Sequence, residues 1–113
     1  MLAFQPNGPI LSIAAAANSN AAVGVAVQLV PSGNVLVQQV KLVNTDGTND
    51  AIVGWGATAA EAAFNALTTN GSPKCTWLVH STIEVITVPA NCWMTAILNA
   101  GTPTVKVQTG YGN

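Results

Sequence analysis

The residues with which this chain could build a reaction are four carboxylates (Asp46, Asp50, Glu61 and Glu84), one imidazole (His80) and two thiols (Cys75 and Cys92). General acid–base work needs two such groups held close together in a desolvated cleft. Glu61 stands three residues after Thr58, the spacing of a helix capping box, so its carboxylate is accounted for as a cap. Glu84 is expected to alternate outward between Ile83 and Val85. His80 could serve as a base, but nucleophilic catalysis also needs a nucleophile and an acid that orients the ring. Ser72, Ser81 and Cys75 neighbour His80 in sequence only, in ordinary strand or turn contexts. A structural histidine at a strand end is the expectation, no residue is assigned a catalytic role, and the chain reads as no enzyme.

Metal and cofactor chemistry fare no better. Asp46, Thr48 and Asp50 have the alternate spacing of the first ligands of a calcium loop, but the glycine and terminal glutamate of an EF-hand are missing. A solvated turn is the expectation. Two cysteines and one distant histidine match no zinc spacing. A bridge between Cys75 and Cys92 would stabilise by roughly 3 kcal/mol, yet both flank a tryptophan-bearing strand and read as free, buried thiols. Gly54-Trp55-Gly56 lies between a strand and a helix, as a phosphate loop would. It matches neither GxGxxG nor GxxxxGK[ST], and close backbone packing beside Trp55 explains the glycines equally well. Asn70-Gly71-Ser72 has the form of a glycosylation sequon, which carries meaning only on export. Trp55, Trp77 and Trp93 could stack on sugar rings. Each sits in an apolar strand run, so burial in the core or at a subunit interface is the stronger reading.

Composition narrows the class of function further. Of 113 residues, half are apolar and only 6% are charged, with three lysines, no arginine and a net charge of -1. A surface this poor in charge tends to associate with its copies. Lys41, Lys74 and Lys106 cannot by themselves make a basic patch, so nucleic acid is not an expected partner. No apolar run approaches the roughly 20 residues that span a bilayer, so no membrane partner is expected. "ILSIAAAANSNA" resembles the end of a secretory leader but has no positive charge before it. A first strand and an Ala/Asn loop are expected there.

The elements that would position these residues are mostly strands. The length fits one domain, residues 1–113. "LAFQP" and "PILSIAAA" read as strands separated by a turn at Asn7-Gly8-Pro9. "VGVAVQLV" (23–30) and "VLVQQVKLVN" (35–44) flank the turn at Pro31–Asn34, and the pattern predicts that they pair as a hairpin. The alternation slips at Gln38-Gln39, which suggests a bulge or a strand shared between sheets. A polar loop (44–50) leads to a short strand (51–56), and four more strands follow at about 75–80, 82–89, 92–99 and 104–110. The spacing predicts an antiparallel β-sandwich or jelly roll. One short helix (about 58–68) is specified by the Thr58–Glu61 box, an apolar stripe of Ala60, Phe64 and Leu67, and a stop at Asn70-Gly71 before Pro73. It is expected to lid an open end of the sandwich, with Phe64 in the core.

Three stretches carry a family resemblance: the start "FQPNGP", the centre "KLVNTDGTNDAIVGWGATAAEA" and the return "EVITVPANCWMTAI". Together they resemble small virion structural proteins of tailed bacteriophages. The resemblance implies a β-sandwich or jelly roll and no catalytic residues, cofactor or metal. Its leading implication is a capsid decoration (cement) protein that binds the major capsid protein as a homo-oligomer, most often a trimer, assembled in the host cytoplasm into the virion. A tail, spike or fibre part that touches the host surface or a glycan is the alternative. Leu2, Phe4, Trp55, Trp77 and Trp93 are the candidate interface residues. Residues 1–10 read equally as an arm laid across a neighbour, stiffened by Pro6 and Pro9, or as an edge strand of their own sheet.

Overall fold

The β-type alternation and its turn residues produce two facing sheets. The computed structural model describes residues 4–14, 16–17, 26–30, 36–67, 71–98 and 104–111. Its strands are β1 (Gln5–Ala14), β2 (Ala16–Ala17), β3 (Val27–Gln28), β4 (Val37–Asn44), β5 (Ala51–Gly56), β6 (Cys75–Leu78), β7 (Ile83–Pro89), β8 (Trp93–Leu98) and β9 (Thr104–Tyr111), with one helix, α1 (Ala59–Ala66), after β5. The first sheet has the order β1-β9-β4-β7; in the second the order is β2-β8-β5-β6, with β3 also on β8. The antiparallel pairs nest: β1 with β9, β3 with β8, β4 with β7, and β5 with β6. Such nesting is a long hairpin rolled up into a sandwich, the winding of a jelly roll. Among the described residues no helix is long and apolar enough to cross a membrane.

This winding overturns the expected hairpin of 23–30 with 35–44. In the described part of the first run, β3 pairs with β8, whereas β4 pairs with β7 and β9. The two runs belong to different sheets. They meet through a side chain: Gln38 Nε2 donates to the carbonyl of Leu29 at 2.9 Å. Residues 23–25 and the turn at 31–34 lie outside the described residues.

Nor does β4 bulge at Gln38-Gln39. Its register against β7 is continuous from Val37 to Val43, and Gln38, Val40, Leu42 and Asn44 form one buried row. The alternation is regular; what misled is that an amide ends the inward row on each side. Asn44 is fully employed, donating to the carbonyls of Asn49 and Leu78 and accepting from the Asp46 amide, so it ties the first sheet to the second. The Gln38 Oε1 is buried with no partner among the described residues. Between the two amides, Ile13, Val40, Leu42, Val53, Met94 and Val107 are among the fully buried side chains that fill the space between the sheets.

The first two predicted strands are one. Asn7-Gly8-Pro9 is no turn: β1 runs through it along β9, with a register shift between Pro6 and Ile10. An edge strand tolerates prolines because one side of its backbone has no ladder to complete. Residues 5–10 thus line the edge of their own sheet, while Met1–Ala3 lie outside the described residues.

The helix keeps its predicted start and loses its predicted seat. Thr58 is the N-cap, and its Oγ1 accepts from the Glu61 amide at 3.1 Å. The return contact comes from the Thr58 hydroxyl, which donates to Glu61 Oε2 at 3.4 Å, in place of the expected backbone amide. The C-cap is Leu67, with its N–H on the Phe64 carbonyl, so the helix ends before Asn70-Gly71. The buried stripe is Ala62 and Ala66, and Phe64 is 57% exposed. The helix lies against the outer side of the second sheet and does not plug an end. Gly54 and Gly56 allow this: a Cβ on Gly54 would lie 2.6 Å from Ala66 Cα, and one on Gly56 would lie 2.7 Å from Glu61 Cβ. Close packing is therefore the reason for the glycines beside Trp55. Asn65 Nδ2 fixes the seat by donating to the Trp55 carbonyl at 2.7 Å.

Candidate functional site

Three places gather polar or exposed side chains. The first surrounds Asp50, just before β5. Its Oδ2 accepts from Trp77 Nε1 at 3.0 Å, and its Oδ1 accepts from the His80 amide at 2.9 Å and lies 2.8 Å from His80 Nδ1. These hydrogen bonds favour the ionised carboxylate and hold the Asp50 pKa below its ordinary value, with the His80 amide the largest contributor. No local motif announces an acid that orients His80, and the structure supplies one from a distance. The acid comes from thirty positions earlier, brought alongside by the pairing of β5 with β6.

Such a pair can hold an imidazole in one orientation, which is half of a catalytic relay. The nucleophile candidates are otherwise engaged. Ser81 Oγ donates to the Asp46 carbonyl, Thr82 Oγ1 donates to the Val79 carbonyl, Cys75 Sγ donates to the Ser72 carbonyl, and Ser72 Oγ accepts from the Lys74 amide. His80 is 45% exposed, and it lines neither of the two cavities described below. Asp50 acts as a latch that fastens the start of β5 to the end of β6.

The neighbouring loop is a closed turn. Asp46 Oδ1 accepts from the amides of Thr48 and Asn49 and from the Thr48 hydroxyl, and Oδ2 accepts from Asn49 Nδ2. These bonds, the Asn49 side chain first, lower the Asp46 pKa to about 2. With Asp46 spent inside the turn and Asp50 facing His80, the two carboxylates do not converge on a common point. Among the described residues no three His, Cys, Asp or Glu side chains are grouped as metal ligands. Both cysteines are free; Cys92 is buried and Cys75 half-buried. Burial raises the Cys92 thiol to about 11, which leaves it protonated and a poor nucleophile at neutral pH.

The second place is a cleft of about 400 Å³ at one end of the sandwich. Trp55, Lys74, Gln28 and the β7–β8 turn at Ala90–Cys92 line it. Asn91 holds a left-handed conformation there (φ 64°), and its carbonyl accepts from Gln28 Nε2 at 3.2 Å. The Trp55 indole packs against the core and is half-exposed to the cleft. An aromatic edge, an ammonium and two amides are groups that can hold a polar ring.

The third place is the outer side of the first sheet. The register puts Ile10, Lys41, Val43, Val85, Ile83 and Lys106 on it. Four exposed aliphatic residues stand there: Ile10, Val37, Ile83 and Val85. Ile83 and Val85 therefore point outward, and Glu84, opposite Leu42, points to the inner side at the sheet's edge. This reverses the expected alternation of β7, whose sequence fixes parity but not which parity is inward. A concavity of about 400 Å³ between Ile10, Val43 and the two lysines marks the middle of this side.

The candidate interface residues are spread over all of this. Phe4 is half-buried; its ring lies close over Gly110, and Lys41 Nζ stands 5.7 Å from the ring centroid. Such a contact is a cation–π pair. Trp55 faces inward, whereas Trp77 and Trp93 pair with Ile52 and Gly56 on the outward side. Trp77 is 51% exposed on the edge strand, and Trp93 is half-buried at the other end of the strand row. The three indoles form no common platform. Leu2 lies outside the described residues. The chain matches no family model, no curated protein and no solved structure.

Sequence reasoning missed the Asp50–His80 pair and the joint placement of Lys41 and Lys106. Neither carries a local signal. The residues of each pair meet through strand pairing across 30 and 65 positions, and no short-range spacing encodes that.

Proposed function

We propose that this chain is a non-enzymatic virion structural protein, a capsid decoration protein of a tailed bacteriophage that binds the head as a homo-oligomer. The observation that carries the reading is the outer side of the first sheet. In an antiparallel sandwich the outer face is ordinarily polar, and here it presents Ile10, Val37, Ile83 and Val85 to solvent. Such a surface is what a lattice or a sibling chain would cover. Jelly rolls are used by viral capsid proteins, an analogy at the level of fold alone. The "KLVNTDGTNDAIVGWGATAAEA" centre, whose resemblance implies this reading, forms the end of β4, the loop after it, β5 and the start of α1. On this reading the partners are other copies of the chain, as a trimer, and the major capsid protein. Many weak contacts on a shell would sum by multivalency.

The test is to mix purified protein with expanded, undecorated phage heads and to image the particles. Regular added density on the shell is expected. A strict monomer in solution that leaves heads bare ends the proposal. The Trp55 cleft favours a second reading, a tail, spike or fibre component that binds a glycan. That reading expects glycan-array hits that disappear in Trp55→Ala, and an array without hits removes it.

A further inference from the structure

The molecule carries two exposed apolar sides of opposite charge. Of the nine large hydrophobic residues exposed among those described, four (Ile10, Val37, Ile83 and Val85) lie on the outer side of the first sheet. Three more (Phe64, Trp77 and Val79) lie on or beside α1 and β6, over the outer side of the second sheet. The first side holds Lys41 and Lys106, two of the three lysines in the protein. Lys41 Nζ stands over the Phe4 ring, and Lys106 Nζ donates to Ser12 Oγ at 2.7 Å, so these contacts leave both positive charges uncompensated. Among the described residues no side-chain carboxylate is placed on this side; Glu84 points the other way across β7. The opposite side carries carboxylates instead: Asp50 is bonded to Trp77 and paired with His80 there, and the exposed Glu61 stands one helical turn before Phe64.

We infer that the lysine-bearing outer side of the first sheet is the docking surface for the acidic α1/β6 side of a second copy of this chain. Pairing the lysine side with itself would set Lys41 and Lys106 against their own copies, and like charges at a contact oppose it. Pairing it with the α1/β6 side brings opposite charges together and covers both apolar patches at once. Two different surfaces make the contact heterologous, so it closes into a ring or continues as a stack, and does not stop at a two-fold dimer. The inference rests on the self-association expected of a decoration protein and names the surfaces that association uses.

The test is sedimentation of the full chain in two variants, with circular dichroism to confirm that each stays folded. Lys41→Gln/Lys106→Gln spoils one surface, and Glu61→Gln/Phe64→Lys spoils the other. Wild type is expected to associate, and each variant alone to associate at least about tenfold more weakly, the size of effect charge complementarity gives across an interface. Mixed one to one, the two variants are expected to form a dimer that grows no further, since each retains the surface the other lacks. Association of either variant at wild-type strength overturns the inference, as does a mixture that stays monomeric.

Binding to phage heads, scored separately, distinguishes the two readings. A wild-type monomer that still decorates heads overturns this inference and leaves the proposed function standing. Oligomers that form through these surfaces and ignore heads support the inference and remove the proposed function.

Discussion

The two sheets of the sandwich treat their outer sides differently. The second sheet is covered by the chain itself: α1 follows β5 directly and settles over Gly54 and Gly56 with Ala62 and Ala66 underneath. The outer side of the first sheet has no such cover among the described residues, although its aliphatic side chains are larger. The contrast is one of purpose. A small-on-small contact, with glycine below and alanine above, brings a helix close without deep side chains, and it consumes the surface it covers. An exposed aliphatic side is left for something else to consume.

Substitutions can break or sharpen this contrast. The largest effect is expected at the covered side. Gly54→Val sets a branched side chain against the Ala66 backbone, which cannot give way as a side-chain end would, and costs about 3 kcal/mol. A urea titration checks it, and retention of wild-type stability would mean that the helix is not seated where Gly54 lies.

Next comes the bond between the sheets. Asn44→Ala leaves the carbonyls of Asn49 and Leu78 and the Asp46 amide short of a partner, a loss of about 2–3 kcal/mol measured the same way. Removing the helix cap is milder: Thr58→Ala costs about 1 kcal/mol, and Thr58→Ser restores most of it. On the open side, Ile83→Thr changes the stability of the monomer by less than about 0.5 kcal/mol, because no core contact is lost. A larger loss in a dilute thermal melt would show that Ile83 is packed and not free.

The smallest effect is that of acid on the turn beside the latch. The folded-state pKa of Asp46 is lowered from 3.8 to about 2, and that of Asp50 is also lowered. As pH falls, the unfolded chain therefore takes up protons first. The stabilisation from Asp46 is whole above about pH 4 and is lost on the way to about pH 2, and that from Asp50 is lost as pH falls through its own lowered pKa. Chemical denaturation across that range should show the slope, and Asp46→Asn should flatten it.

Much of the local structure was legible in the chain. β5 falls on residues 51–56, as its apolar run predicts, and the Thr58–Glu61 box marks the helix start because its hydrogen bonds span only three residues. The site features were not legible in the same way. The Asp50 latch on Trp77 and His80, the lysine pair on the open side and the exposed positions of Ile83 and Val85 all depend on which strand lies beside which.

The sequence by itself determined a β-sandwich of short strands and one capped helix whose Glu61 serves the cap. Period-two alternation, turn chemistry and capping are short-range and act before any sheet exists. Tertiary structure alone decided the nested pairing, the inward face of each strand and the stripe on which the helix rests. Alternation divides a strand into two rows without saying which is buried. A helix offering Ala62-Ala66 on one side and Phe64 on another is turned by the shape of its seat. Here the seat is floored by glycine, so the alanines went down and the phenylalanine stayed out.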